Sequence, residues 1–326
     1  MQRFKDILCV ATPGSTDRVA LERAVTLAEN NQARLTVVEA IDEIPRNTKL
    51  IDNIQSFEEF QAKIVAGYRQ GLEKLVAPLS RKIKIQTKVL IGIPFLEIIR
   101  EVLRNDHDLV IKTAESGELL DRVFGSDDMH LLRKCPCPVW LVKPKSPKAF
   151  HKILATVDVD DYYLPEELNT RSQLNIQTLE MASSLALSEF AELHIAHAWV
   201  AIGEDSMRSA FVDLSEDKII AQIEATRQHH KQNLKMLMDE VIGKLGQDVL
   251  EYLKPQTHLL KGYPRKVIPA FARKIEADLV VMGTVARTGI SGFFMGNTAE
   301  TILNQLDCSV LAIKPRGFKT PVSLED

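Results

Sequence analysis

The sequence predicts an α/β fold of two tandem domains, each with a five-stranded parallel sheet flanked by helices. Three observations lead to this prediction. The chain has 326 residues, which is too long for one typical core and suits two domains of about 150 residues each. Several motifs of one half return in the same order in the other half. Within each half, short apolar runs alternate with longer segments of helical periodicity.

The internal repeat rests on four matches that occur in the same order in both halves. They pair Ile7–Ala11 with Ile153–Val157, Gln86–Pro94 with Gln256–Pro264, Asp108–Ile111 with Asp278–Val281, and Cys137–Pro144 with Cys308–Pro315. Self-similarity of this kind is typical of a duplicated domain. We therefore predict two copies, over 1–144 and 150–316, with a short proline-containing linker between them.

Five short runs of aliphatic and β-branched residues predict buried parallel strands in the first copy. They are Ile7–Ala11, Leu35–Ala40, Ile85–Ile91, Leu109–Ile111 and Val139–Val142. Between them, apolar residues at helical spacing predict helices, for example over 19–28 and 96–103. The same order recurs between Ile153 and Ile313. Right-handed crossovers then place helices on both faces of each sheet.

Composition and charge argue against several classes of protein. The net charge of −3 disfavours broad attraction to DNA or to anionic membranes. No apolar run approaches the ~20 residues that cross a bilayer, and the N-terminal segment lacks the apolar core of a signal peptide. The four cysteines include no C-x-x-C pair, which indicates a reducing compartment. We therefore expect a cytosolic protein with no nucleic-acid partner and no membrane span.

The second copy is the longer one. The offset between matched residues rises from 146 to 170, so the second copy has 24 extra residues, mainly in 160–170 and 200–218. Both segments follow strands, and open α/β sheets bind ligands beyond the carboxyl ends of their strands. The sequence leaves open whether these segments are surface elaborations or a lid over a ligand.

The segment Met282–Ala299 carries the clearest chemical signal. It connects a buried strand to an amphipathic stretch, and it has glycines at 283, 289, 292 and 296. Glycine lets a backbone approach a ligand closely and adopt positive φ, although tight packing can also require it. Gly296, Asn297 and Thr298 then open a helix, with side chains suited to N-capping. The unpaired N–H groups at a helix start favour an anion.

The spacing within this segment makes the signal more specific. It resembles the nucleotide-binding signature of the universal stress protein family, Gly-x-x-Gly-x9-Gly-Ser/Thr, at Gly283, Ala286, Gly296 and Asn297. The resemblance covers both halves. The chain is similar in particular to the tandem-domain, E-type members from bacteria, and this similarity is clearest in Phe124–Pro136 and Gly283–Glu300. It implies two Rossmann-like domains of the adenine nucleotide alpha hydrolase type.

The resemblance also implies a ligand and the residues that hold it. In ATP-binding members, a carboxylate at the end of the first strand contacts the adenosine, and the glycine-rich loop wraps the phosphates. The second copy is therefore expected to bind ATP or a related adenine nucleotide, with or without Mg²⁺. The positions implied are Val157, Asp158, Met282, Gly283, Thr284, Gly296, Asn297 and Thr298. Arg287 either neutralises phosphate or is a solvated loop cation.

Two positions depart from the family signature. Ala286 replaces the second glycine, so its Cβ narrows the phosphate pocket, and Asn297 replaces the usual Ser or Thr. Neither change alone removes an anion site. The leading hypothesis is a stress-response protein that acts through ligand-dependent conformation or partners. A ligand-independent scaffold, or a carrier of another phosphorylated or amphipathic small molecule, remains an alternative.

The equivalent segment of the first copy, Lys112–His130, differs more strongly. It keeps Gly125 and Ser126 but has lost the initial glycine. It has two basic and five acidic residues, a net charge of −3, whereas 283–300 is neutral. Thr12 stands where Asp158 stands in the second copy. Because an acidic loop repels phosphate, we predict that the first copy is degenerate and binds no nucleotide.

Other chemistry-bearing residues have ordinary structural explanations. Cys135 and Cys137 flank a proline before a core strand, which favours buried packing over redox or metal chemistry. His194 and His197 are three residues apart on a strand and so face opposite sides, and His229–His230 is typical of a solvated helix face. The chain lacks the P-loop, G-x-S-x-G and H-E-x-x-H motifs. We predict no metal site and no catalysis beyond slow hydrolysis of a bound nucleotide.

The resemblance also carries an expectation about assembly. Single domains of the family usually pair, so a tandem chain is similar to a dimer made covalent. The closing strands Val139–Val142 and Val310–Ile313 are the expected contact between the halves. A further homodimer stays open.

Overall fold

Helices and parallel strands alternate along the chain in the computed structural model. The structure describes residues 4–12, 18–45, 56–80, 83–115, 124–201, 203–208, 214–289 and 292–324. These residues divide into two compact units, which we call the first domain (4–148 with 318–324) and the second domain (149–317).

The described residues of the first domain contain one five-stranded parallel sheet. Its strands are β1 (Asp6–Val10), β2 (Arg34–Ile41), β3 (Ile85–Ile91), β4 (Leu109–Thr113) and β5 (Val139–Val142). Their spatial order is β3-β2-β1-β4-β5, and every neighbouring pair is parallel. The predicted strands of the first copy are confirmed, with shifts of one or two residues at their ends.

Four helices of the first domain lie in the described ranges. They are α1 (Val19–Asn31), α2 (Phe57–Val76), α3 (Pro94–Asn105) and α4 (Ser126–Lys134). The predicted apolar stripe of α3 packs inward, with Ile98, Ile99 and Val102 buried. Pro94 opens this helix, where its missing N–H would have had no helical partner in any case.

The second domain repeats this sheet and adds a hairpin. Its described strands are β6 (Lys152–Val157), β7 (Glu192–Trp199), β8 (Gln256–Lys261), β9 (Leu279–Gly283), β10 (Val285–Gly289), β11 (Gly292–Met295) and β12 (Ser309–Ile313). Five of them form a parallel sheet in the order β8-β7-β6-β9-β12, and β10 pairs with β11 separately. Both domains therefore have the same strand order, as the duplicated motifs predicted.

The described ranges of the second domain contain six helices. They are α5 (Pro165–Glu189), α6 (Glu204–Met207), α7 (Glu216–Leu245), α8 (Gln247–Leu253), α9 (Pro264–Lys274) and α10 (Asn297–Leu303). The segment 160–170 forms the loop after β6 and the start of α5. The described part of 200–218 includes α6 and the start of α7. No helix in the described ranges has both the length and the apolar character needed to cross a membrane.

An aspartate just before the fourth strand of each sheet ties that strand to the first one. The carboxylate of Asp108 accepts hydrogen bonds from the backbone N–H groups of Lys5 (2.6 Å) and Asp6 (3.1 Å). The carboxylate of Asp278 likewise accepts from the N–H groups of His151 (2.6 Å) and Lys152 (3.0 Å). The repeated Asp-Leu-Val motif therefore marks a structural bond that both domains use.

A second repeated motif marks a turn that requires glycine. Gly92 follows β3 with a φ of 138°, and Gly262 follows β8 with a φ of 135°. Residues with a side chain rarely adopt this backbone conformation. Pro94 and Pro264 begin the next helix two residues later. The turn directs the chain from the sheet into the helix that covers it.

The glycine-rich segment connects β9 to α10, as the sequence predicted. Within this connection the structure forms the hairpin β10–β11, which the sequence did not indicate. Arg287 lies opposite Phe294, and Gly289 lies opposite Gly292 near the tip. Threonine and phenylalanine favour extended backbone, which gives the hairpin its strands.

The C-terminal segment belongs to the first domain. The sequence prediction ended the second copy at residue 316 and left the following residues unassigned. The structure groups 318–324 with the first domain. There Arg100 of α3 donates a hydrogen bond to the carbonyl oxygen of Ser323, at 3.2 Å.

Replacing Gly262 with alanine is expected to destabilise the second domain by about 1–3 kcal/mol. Its φ is 135°, and an added methyl carbon would lie 2.7 Å from Cγ1 of Val267. Gly243 of α7 is the matched control, because nothing lies within 4 Å of a methyl added there. Alanine at 243 should stabilise by about 0.5–1 kcal/mol. Denaturant unfolding of both variants measures the difference, and equal midpoints would contradict strain at Gly262.

Candidate functional site

A cavity of about 200 Å³ lies at the carboxyl ends of β6 and β9. These adjacent strands are connected to opposite sides of the sheet, so the chain leaves a crevice between them. Six of the nine residues expected to bind nucleotide line this cavity: Val157, Asp158, Met282, Gly283, Gly296 and Thr298. Residues that lie far apart in the sequence therefore meet at one point of the second domain.

Asp158 is held in place by the helix that follows it. The side chain of Asn175 on α5 bonds both backbone groups of Asp158, accepting from its N–H at 3.0 Å and donating to its carbonyl at 2.7 Å. The side chain Oδ2 accepts from Arg171 Nη1 at 2.5 Å and from the Tyr163 hydroxyl at 3.2 Å. The carboxylate expected to contact a ligand is thus already bonded within the protein.

Arg171 and Tyr163 form the wall of the cavity together with Asp158. The guanidinium carbon of Arg171 lies 3.5 Å from the centre of the Tyr163 ring, which is a stacked cation–π contact. Burial, with the neighbouring carboxylate of Asp158, raises the pKa of Tyr163 to about 12. We call Asp158, Tyr163 and Arg171 the latch. Of these three residues only Asp158 was predicted from the sequence, because Tyr163 and Arg171 meet it only in three dimensions.

Gly283 is glycine because of packing. A side-chain carbon at this position would overlap Leu174 of α5. Its backbone φ is not in the left-handed region, and Gly296 has a φ of −73°. The expectation that these two glycines provide positive φ is therefore wrong, and close approach of α5 explains Gly283 instead.

Of the other predicted residues in the glycine-rich segment, some line the cavity and some do not. Thr284 is fully buried, and its hydroxyl donates to the carbonyl oxygen of Ile313 at 3.4 Å, so it does not line the cavity. Gly296 is the N-cap of α10 and makes no side-chain cap, so Asn297 and Thr298 do not serve as caps as predicted. Asn297 is exposed, whereas Thr298 lines the cavity. The side chain of Arg287 lies outside the described residues.

His197 at the end of β7 also lines the cavity. Its Nδ1 lies 3.2 Å from the carbonyl oxygen of Val157, and its Nε2 lies 3.0 Å from Nδ1 of His230 on α7. Both bonds are satisfied when His197 carries its proton on Nδ1 and His230 donates from its own Nδ1. Burial lowers the pKa of each histidine, which favours these neutral forms.

The solvated helix face predicted for His229–His230 is wrong for His230. His230 is 2% exposed because α7 turns it toward β7, whereas His229 is exposed and lies 2.8 Å from a carboxylate oxygen of Asp161. Side-chain spacing on a helix 30 residues long does not reveal which residues face the sheet. His194 contacts His258 at 3.0 Å, so the two strand histidines have separate partners, in line with their opposite faces.

The two neighbouring cysteines of the first domain are buried side chains. Cys135 and Cys137 are both buried with their Sγ atoms 3.6 Å apart, and neither forms a disulfide. Burial raises the pKa of the Cys137 thiol well above its ordinary value, which disfavours a reactive thiolate. Among the residues that the structure describes, no group of three or more His, Cys, Asp or Glu side chains could hold a metal ion.

Comparison with known sequences connects the whole chain to one family. The model of the universal stress protein family matches residues 3–143 and 170–314. Universal stress protein E of Escherichia coli strain K12 is 32% identical over 329 aligned positions, which cover 100% of this chain and 99% of that protein. A homologue of universal stress protein E from Haemophilus influenzae is 30% identical and covers 96% of this chain and 98% of its own length.

Solved structures give the same result for the fold. A protein of unknown function from Pseudomonas aeruginosa PAO1 has a TM-score of 0.69 at 26% identity, covering 96% of this chain and 93% of that chain. A universal stress protein from Archaeoglobus fulgidus has a TM-score of 0.59 at 18% identity and covers 95% and 98%. At 18% identity, the similarity to the Archaeoglobus fulgidus protein shows a common fold alone.

The buried histidines make the stability of the second domain depend on pH. Because burial lowers the pKa of His197 and His230 below 6.5, the unfolded chain binds protons more readily than the folded domain. Above this pH neither state is protonated, and as the pH falls below it the free energy of unfolding decreases. We expect a smaller decrease between about pH 7.5 and 5.5 in His230→Gln than in the wild type.

His229→Gln is the matched control for this measurement, since His229 is the exposed neighbour on the same helix. It should keep the pH dependence of the wild type in thermal or denaturant unfolding. If His230→Gln and the wild type lose stability in parallel, the buried pair is not the source of the pH dependence.

Proposed function

This chain belongs to the universal stress protein family, and we propose that it is a cytosolic stress-response protein whose second domain binds ATP or a related adenine nucleotide. The proposal rests on one observation above all, the convergence of Val157, Asp158, Met282, Gly283, Gly296 and Thr298 on one cavity. The protein acts by ligand-dependent conformation or partner binding rather than by catalysis.

The cavity has the chemical features that a nucleoside needs. Its walls include the apolar side chains of Val157, Leu174, Ile268, Met282 and Ile302. Such walls suit the flat faces of a purine, while a few polar groups fix its orientation. Asp158 provides a carboxylate that can accept hydrogen bonds from ribose hydroxyls.

The cavity must enlarge before a nucleotide can occupy it. Small-molecule sites usually measure about 300–1,000 Å³, and this cavity measures about 200 Å³. Arg171 and Tyr163 line the cavity and bond the carboxylate of Asp158, so these two side chains stand where a bound nucleotide would have to enter. We infer that a nucleotide displaces the Arg171 side chain from Asp158. The freed guanidinium can then pair with a phosphate or stack on the base.

Displacement of the latch is a way in which ligand binding can change the conformation of the second domain. Arg171 is part of α5, and Tyr163 belongs to the loop that precedes this helix. Breaking their contacts with Asp158 frees the loop after β6, one of the two segments that the second copy has gained. A ligand can shift the equilibrium between latched and open loops only by its differential affinity for the two states.

The latch also favours a second candidate function. A domain whose ligand carboxylate is already paired needs no ligand to be complete, so a ligand-independent scaffold remains the alternative. In that case the latch is a permanent ion pair, and purified protein carries no small molecule. A carrier of another phosphorylated or amphipathic compound would instead release that compound on denaturation.

Native mass spectrometry and calorimetry test the nucleotide proposal. We expect the wild type to bind ATP and Asp158→Asn to bind it at least about tenfold more weakly, because a hydrogen bond to a charged group is lost. Asp239→Asn is the matched control, since Asp239 is exposed on α7 and does not line the cavity. Absence of any adenine nucleotide from native protein, together with no heat from millimolar ATP, would remove the proposal.

Arg171→Gln tests the latch separately. Adenosine gains affinity in this variant, because it no longer has to displace the guanidinium from Asp158. ATP gains less than adenosine, because the variant lacks a cation that can face phosphate. A weaker affinity for adenosine, measured in the same titrations, would show that Arg171 supports the site instead of closing it.

A further inference from the structure

The first domain has a cavity of its own at the carboxyl ends of β1, β2 and β4. Its volume is about 560 Å³, within the range of small-molecule sites. Much of its wall is apolar and includes Leu21, Leu75, Pro94 and Ile98. The first domain therefore offers room for a ligand.

The charges near Lys112 and the start of α4 disfavour a phosphate there. Lys112 Nζ already donates to Asp128 at 2.7 Å and to Glu115 at 2.8 Å. Glu115 packs against Gly125, the N-cap of α4, so its carboxylate takes the space where a bound anion would approach that helix. Asp127 adds a further carboxylate to the wall. The chain's own acidic groups thus take the positions that an anion would need.

Glu39 on β2 is the unusual group of this cavity. Strand register places it at the position that His197 holds in the second domain, since Val38 pairs with Val10 as Ala196 pairs with Thr156. Glu39 is 5% exposed, it lines the cavity, and its Oε2 has no hydrogen-bond partner among the described residues.

A buried carboxylate without a partner is costly, and burial raises the pKa of Glu39 to about 7. Two cations line the same cavity, Arg18 and Lys112, but neither makes an ion pair with Glu39 in the part of the chain that the structure describes. Its acidic neighbours in the wall are Glu115 and Asp127. Glu39 therefore has no ion-pair partner among the described residues of a wall that has three acidic and two basic side chains.

We propose that the first domain binds a small organic cation, an ammonium or guanidinium group on an apolar stem, with Glu39 as its counter-ion. The cationic head pairs with Oε2, and the stem lies along Leu75, Pro94 and Ile98. A metal ion would need several ligands, and no such group of side chains exists among the described residues. The site is in the first domain, so this inference does not depend on nucleotide binding by the second.

Calorimetry on the full-length chain tests the proposal with hexylammonium and agmatine as probes. Hexanol and hexanoate serve as comparison compounds of similar size. At about pH 8 we expect each cation to bind at least about tenfold more tightly than hexanol, and hexanoate to bind most weakly. Equal binding of hexanol and hexylammonium, or no binding of either cation at about 10 mM, would overturn the proposal.

Proton release on binding tests whether Glu39 is the counter-ion. Because a cation binds the carboxylate form, binding near pH 7 should release part of a proton, seen as a binding enthalpy that depends on the buffer. The affinity should rise between about pH 6 and pH 8 for the same reason. Glu39→Gln, which keeps the shape and removes the charge, should lose both effects and at least about tenfold in affinity.

Two further variants separate Glu39 from its surroundings. Glu22→Gln is the matched control, because Glu22 is exposed on α1 of the same domain, and it should bind the cations like the wild type. Asp127→Asn should retain the proton release. If Glu39→Gln folds and still binds the cations with the affinity of the wild type, Glu39 is not the counter-ion. The same conclusion follows if Asp127→Asn abolishes the proton release.

Discussion

The pairing of the first and fourth strands in each sheet is the constraint on which the rest of this protein depends. Asp108 and Asp278 fasten it at the amino ends by accepting backbone N–H groups of the neighbouring strand. Parallel pairing then fixes which residues meet at the opposite, carboxyl ends. Because the chain leaves these two strands in opposite directions, a crevice opens there in both domains, and both cavities lie in it.

The same backbone frame holds different chemistry in the two domains. Strand register puts Glu39 where the second domain has His197, and Lys112 where it has Met282. In the second domain Asp158 at the crevice is bonded to Arg171, and His197 is bonded to His230. In the first domain Lys112 pairs with two carboxylates, whereas Oε2 of Glu39 has no hydrogen-bond partner among the described residues. The two domains therefore share the geometry of the crevice and differ in the charges and hydrogen bonds within it.

The frame was predictable from the sequence because it depends on local and repeated signals. Runs of β-branched residues marked the strands, and the Asp-Leu-Val repeat marked the duplication, although only the structure shows the bonds that these aspartates make. The site was only partly predictable. Asp158 followed from its place after a strand, but its bond to Arg171 depends on how α5 packs, which no spacing rule gives. His230 was misassigned for a similar reason, since the side of α7 that meets β7 is decided by tertiary contacts.

The Lys112–Asp128 pair limits which single substitutions the first domain tolerates. Asp128 is fully buried, and its carboxylate pairs with Lys112 at 2.7 Å. Replacing Lys112 alone leaves this carboxylate buried without its cation, at a cost of about 3–5 kcal/mol. Removal of the charge from this part of the crevice therefore requires both residues to change together.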